Sequence, residues 1–90
     1  MEAFAALADP TRRRIVEMLA EGELTAGEVA RRFDMTAPAV SQHLKILRTS
    51  ELIRVRPDAQ RRIYALDPRG LAALDAWIGR YRRLWSERYP

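Results

Sequence analysis

A change of hydrophobic period at Leu52 divides the sequence into segments that cannot share one local geometry. Before it, apolar residues recur at helical spacing, with Ile15, Val16, Met18 and Leu19 in one segment and Val40, Leu44 and Leu47 at i, i+4 and i+7 in another. After it the period falls to two, as Ile53 and Val55 alternate with Arg54 and Arg56 and the chain returns through Arg61, Arg62, Ile63, Tyr64, Ala65 and Leu66. Helical spacing resumes beyond Asp67-Pro68. The pattern predicts a mainly α chain with one small β-hairpin. Strands this short need helices packed against them. A chain of 90 residues hides only about 60 to 65% of its unfolded surface around one core, so the whole sequence, 1–90, is read as a single domain.

Start and stop signals place the helices. Phe4 and Leu7, three apart, mark a brief first helix, and Asp9-Pro10 supplies an N-cap and a first-turn proline for a second that runs to about Glu21 and ends at Gly22. Thr25 with Glu28 three residues on is a capping box for a short helix whose buried edge is Val29 and Phe33. Asp34-Met35 interrupts it, and a further helix follows Thr36, from Ala37 to about Thr49. Two helices joined by so short a link form a helix-turn-helix candidate. Pro57-Asp58-Ala59-Gln60 is read as the hairpin turn within a segment spanning about 52–66. A last helix is expected over about 68–88, opened by Asp67-Pro68, with Leu71, Leu74, Ile78, Tyr81 and Trp85 spaced 3, 4, 3, 4 and flanked by Trp77 and Leu84. That stripe is wide enough to cover the domain's own core on one side and meet a second copy on the other. A purely intrachain packing is the alternative.

Charge is unevenly distributed. Residues 1–35 hold five basic and seven acidic side chains, 36–62 six and two, and 63–90 five and three. The middle segment therefore carries a net +4, which suits a face that binds a polyanion. With no cysteine there can be no disulfide, thiolate nucleophile or Cys-ligated zinc. The one histidine, His43, has neither converging carboxylates for a metal site nor a nucleophile beside it for catalysis. No apolar run approaches the ~18 residues of a membrane span, and no secretion signal opens the chain, so a cytoplasmic, non-membrane protein is expected. The residues call for no cofactor and no enzyme chemistry, and they define no effector site.

Helices, a helix-turn-helix, a basic hairpin and a closing helix, in that order, describe a winged helix-turn-helix domain. The major groove of double-stranded DNA accepts one helix. On a helical wheel Pro38, Gln42, Lys45 and Thr49 point away from the Val40, Leu44 and Leu47 stripe, with Ser41 at the border. Gln42 can bond adenine bidentately, and Lys45, Arg56, Arg61 and Arg62 can neutralise phosphates. Ser41 is read either as a base or phosphate contact or as a locally bonded hydroxyl, and His43 either as a DNA contact or as a packed imidazole. The cations Arg12, Arg13 and Arg14 sit at a helix start, where the helix dipole disfavours them, so compensation by a phosphate or an acidic partner is expected.

The segments ALADPTRRRIVEML, LTAGEVARRF, TAPAVSQHLKIL and RRIYALDP closely resemble the ArsR-type (arsenic-repressor-like) bacterial regulators. Ser41-Gln42-His43-Leu44-Lys45 followed by Leu47 is the most specific piece and looks like that family's recognition helix. The resemblance implies that Ala37, Pro38, Ser41 and Gln42 face base edges, and that a homodimer paired through first and last helices represses transcription until a signal releases it. Metal-sensing members carry cysteines near the short third helix, or Asp and His on the last. Here Ala26, Gly27 and Glu28 occupy the first stretch and Asp75 has no histidine near it, so no metal site is expected. Ala59 stands where the family's wing commonly has glycine, and the sequence stops soon after Trp85, which implies a last helix shorter than in relatives or a tail removed.

The residues expected to touch double-stranded DNA are therefore Thr36, Ala37, Pro38, Ser41, Gln42, His43, Lys45, Arg56, Arg61 and Arg62. Those expected at a homodimer interface are Phe4, Leu7, Leu74, Trp77, Ile78, Tyr81, Leu84 and Trp85. The rival reading of Trp77, Tyr81 and Trp85 is an aromatic ligand pocket. The rival function is a winged helix adapter whose basic face meets an acidic protein.

Overall fold

The computed structural model describes residues 2–88; Met1, Tyr89 and Pro90, the ends of the expected 1–90 domain, lie outside the described residues. Their order is α1 (Glu2–Leu7), α2 (Pro10–Glu21), β1 (Leu24–Thr25), α3 (Ala26–Arg31), α4 (Ala37–Thr49), β2 (Ile53–Asp58), β3 (Arg61–Leu66), α5 (Pro68–Gly79) and α6 (Arg82–Arg88). Helix starts follow the capping chemistry in the sequence. Asp9 accepts from the Arg12 N–H at 3.0 Å and Thr36 from the Ala39 N–H at 3.3 Å. Both halves of the Thr25–Glu28 box are made, at 2.9 and 3.1 Å. Each such cap contributes about 1 kcal/mol by satisfying a helix-end donor.

The inner stripes of α2, α3 and α4 converge. Ile15, Val29, Val40, Leu44, Leu47, Leu52 and Ile53 are almost wholly excluded from water, with Met18, Leu19 and Tyr64 beside them. Burying the stripe of α4 commits its remaining face to the outside. The helix ends in a Schellman motif: the Leu52 N–H donates to the Leu47 carbonyl and the Glu51 N–H to Arg48, both at 3.0 Å, with Glu51 in the left-handed region at φ 60°. The start of α5 closes over this loop. Asp67 N–H donates to the Leu52 carbonyl at 2.9 Å and Gly70 N–H to the Glu51 carbonyl at 2.8 Å, so the closing helix is fastened to the end of α4.

Three features differ from the sequence reading. The sheet has three strands in the order β1-β3-β2, because Leu24 pairs with Tyr64 and Thr25 with Ile63. A strand of two residues shows no alternation, and Thr25 serves both as strand end and as helix cap. The hairpin is also tighter than the four-residue turn expected. Strand β2 runs through Pro57 and Asp58, which face Arg62 and Arg61, leaving Ala59-Gln60 as the loop. Ala59 takes φ 58°, as the first loop position of a primed turn requires and glycine would accept without strain. Ala59→Gly is accordingly expected to raise stability by about 0.5 to 1 kcal/mol, read as a higher thermal midpoint; an unchanged or lower midpoint would contradict this account of the turn.

The third difference is the last helix, which is not continuous over 68–88. It breaks between α5 and α6, where the Arg80 and Tyr81 N–H groups donate to Trp77 and Ile78 at 3.3 and 2.9 Å, bonds of i to i−3 type that tighten the turn. Gly79 weakens the helix at this point, and the Trp77 and Tyr81 rings meet across it with centroids 4.8 Å apart. The 3, 4, 3, 4 spacing continues through the break, so periodicity alone does not show it.

Candidate nucleic-acid interface

Thr36, Ala37, Pro38, Ser41, Gln42 and Lys45 are all exposed along the outer side of α4. Among the described residues none buries them, although Gln42 and Lys45 also line a groove against α1; the opposite side of that helix is seated on α2, α3 and the hairpin. Pro38 lies in the first turn of α4, where its missing N–H costs nothing. The helix therefore presents small and polar groups at its leading end and a cation one turn further on.

His43 is less exposed than Ser41, Gln42 and Lys45 on the same helix. Its ring turns toward the body, with Nδ1 3.4 Å from the Arg12 guanidinium and 4.0 Å from the Asp9 carboxylate, and its side chain is only 17% exposed. The packed-imidazole alternative matches this placement. Arg12 also donates to the Ala6 carbonyl at 2.7 Å, and Arg13 to Leu7 at 2.9 Å, so the last carbonyls of α1 absorb cations that the start of α2 disfavours. The backbone hydrogen bond from Arg12 is the main cause that holds the Asp9 carboxyl below its ordinary pKa.

The wing arginines are not equivalent. Arg56 is paired with Glu23 at 2.9 Å, and this hydrogen bond raises its pKa above the ordinary guanidinium value. Arg61 is paired with Asp58, also at 2.9 Å. Arg62 makes no ion pair among the described residues and instead lines a cleft of about 550 Å³ between α4 and the hairpin, together with Ser41, Lys45, Arg48 and Arg54. Sequence reasoning singled out neither Arg48 nor Arg54 for DNA. Arg48 was legible, since it lies three residues beyond Lys45 on the same side of the helix. Arg54 was not, because β2 had to be docked on α4 before its neighbours were defined.

Arg69 borders the same cleft, but its charge is engaged by Asp67 and Glu51, each at 2.7 Å. Asp67 is 2% exposed, and its hydrogen bonds from the Arg69 side chain, then from the Arg69 backbone, keep its pKa low despite burial. This cluster is structural: it ties the beginning of α5 to the end of α4.

On α1, α5 and α6, Phe4, Leu71, Trp77, Tyr81, Leu84 and Trp85 leave large apolar side chains exposed. Leu7, Leu74 and Ile78 are half-buried beneath them. Phe4 and Trp77 meet edge to face with centroids 5.1 Å apart, joining α1 and α5 in one patch. The cleft between α4 and the hairpin and the groove between α1 and α4 are lined by neither Trp77, Tyr81 nor Trp85. No described helix is long and apolar enough to cross a membrane, and among the described residues no three His, Cys, Asp or Glu side chains gather as metal ligands would.

A helix-turn-helix made by α3 and α4, with an arginine-bearing hairpin beside it and a closing helix behind, defines a winged helix DNA-binding domain. Residues 9–55 match the model of the bacterial regulatory protein arsR family, and the chain belongs to that family. It is 56% identical over 79 residues to the HTH-type transcriptional regulator Rv2034 of Mycobacterium tuberculosis, covering 88% of this chain and 74% of the relative. The transcriptional repressor SdpR of Bacillus subtilis is 37% identical over 75 residues, 83% of each chain. Among solved structures, the ArsR family transcriptional regulator RHA00566 superposes with a TM-score of 0.86 at 35% identity, over 94% of this chain and 93% of that one. The protein is thus a DNA-binding transcriptional regulator, a class that acts by binding and not by catalysis.

Proposed function

We propose that this regulator is a homodimeric repressor whose two α4 helices enter successive major grooves of an imperfect inverted repeat. The observation that carries the reading is the outer side of α4, where Ala37, Pro38, Ser41 and Gln42 are exposed. Small leading residues permit close approach to base edges, and the Gln42 amide can donate to and accept from one adenine. The similarity to a named repressor supports repression as the outcome. Family membership favours this reading over an adapter for acidic proteins. In a two-fold dimer the half-sites lie about 34 to 36 Å apart, one turn of the duplex.

The exposed aromatic patch on α1, α5 and α6 supports the dimer, since a two-fold partner presents the same patch in return. The break at Arg80-Tyr81 divides the closing segment, so two shorter helices, α5 and α6, carry the part of the patch that follows Pro68.

Selection of bound duplexes from a random DNA pool tests the proposal, with an inverted repeat as the expected product. Gln42→Ala is expected to lose roughly 1 to 3 kcal/mol of discrimination at one base pair in each half-site while leaving the others unchanged. An equal loss across all positions would remove Gln42 from the base-reading set.

A further inference from the structure

We infer that the DNA backbone is gripped in the cleft between α4 and the hairpin, by Lys45, Arg48, Arg54 and Arg62, and not along the outer edge of the wing by Arg56 and Arg61. The inference rests on the DNA-binding reading above and says which cations serve it.

Local net charge separates the two groups. Each outer arginine has a carboxylate at 2.9 Å, Glu23 for Arg56 and Asp58 for Arg61. Exposed pairs of this kind hold together weakly, so a phosphate could detach either arginine. The carboxylate would remain beside the incoming phosphate, however, and a neutral pair offers a polyanion almost no field. The sequence counts Arg56 and Arg61 as two phosphate contacts; their surroundings cancel both.

The cleft is the opposite case. Lys45, Arg48, Arg54 and Arg62 have no carboxylate within ion-pair distance among the described residues. Asp67 and Glu51 lie at one end, but both are bound to Arg69. Four like charges around one trough repel each other in the free protein, and that repulsion is relieved when phosphates enter. The Ser41 hydroxyl lines the same trough and can donate to a phosphate oxygen.

The geometry agrees with the charge. With α4 in the major groove and the hairpin against the flanking duplex, the sugar–phosphate strand between them must pass through the space that separates these two elements. Lys45 and Arg48 line that space from α4, and Arg54 and Arg62 line it from the hairpin, although the strand register places Arg54 with Arg56 on one face of the sheet and Arg62 on the other.

The test measures affinity for a selected operator duplex by fluorescence anisotropy as salt is raised. Each phosphate neutralised contributes a slope of about 0.9 in log K against log salt. Arg48→Gln with Arg54→Gln is expected to flatten that slope by about 1.8 per subunit. Arg56→Gln with Arg61→Gln is expected to leave it within about 0.5 of the parent, and Arg48→Lys with Arg54→Lys to retain most of it. Circular dichroism melts confirm that each variant is folded. The inference is overturned if the outer pair flattens the slope as much as the cleft pair, or if the cleft pair leaves it unchanged. A parent protein that selects no duplex over random DNA would instead defeat the DNA-binding reading itself.

Discussion

Gly70→Ala is expected to destabilise the domain by about 2 to 4 kcal/mol, from overpacking and the loss of one buried hydrogen bond. A Cβ on residue 70 would lie 2.5 Å from the Glu51 carbonyl oxygen and 2.8 Å from its carbon, both backbone atoms that no rotamer change can move. Relief requires α5 to lift from the Schellman loop, which breaks the 2.8 Å bond from the Gly70 N–H to Glu51. For a domain of this size each kcal/mol shifts the thermal midpoint by roughly 4 to 8 °C. Gly79→Ala is the matched control: its Cβ would meet nothing within 4 Å, so its midpoint should hold or rise. Equal midpoints for Gly70→Ala and the parent would show that the clamp between α4 and α5 is not made as described. Because the clamp holds the end of α4, the helix proposed to enter the major groove, the same variant should also lose operator affinity at temperatures where it remains folded.

On the proposed homodimer, Trp77→Glu should abolish self-association, as read by sedimentation velocity against the parent. Trp77 is 42% exposed in the single chain and lies at the centre of the patch, in edge contact with Phe4 and tilted contact with Tyr81. A central tryptophan anchor is typically worth about 2 kcal/mol or more of binding, and a carboxylate in its place must also be desolvated. The dissociation constant should rise at least about 30-fold on the first effect alone. Operator affinity should fall with it, since a monomer engages one half-site. A variant that sediments as the parent does would place the dimer interface elsewhere, and circular dichroism distinguishes failed assembly from failed folding.

Much of the architecture could be read locally because local chemistry decides it. The caps at Asp9, Thr25, Thr36 and Asp67 each rest on a side chain within three residues of its partner, so their bonds follow from adjacency. The alternation of Ile53 and Val55 with arginines needs only the pleat of a strand. Strand β1 escaped because two residues have no period, and its existence depends on β3, some forty residues later in the chain. The break at Arg80-Tyr81 escaped for another reason: i to i−3 bonds leave side chains on almost the same face, so the apolar spacing does not register them.

The site divides along the same line. Which residues of α4 face outward follows from 100° per residue once Val40, Leu44 and Leu47 are assigned to the core, and their exposure agrees. What each charged side chain meets does not follow. Glu23 and Arg56 are 33 residues apart, as far as the sequence is concerned strangers, yet they touch at 2.9 Å. His43 and Arg12 are 31 apart and share a hydrogen bond.

Residue order alone therefore settled the class of fold and the side of α4 left outward, because those depend on periodicity and capping within a few residues. Tertiary structure decided which cations remain available to a phosphate and where the last helix breaks. Electrostatic pairing acts through space between segments remote in the chain, and no pattern along the sequence encodes that distance.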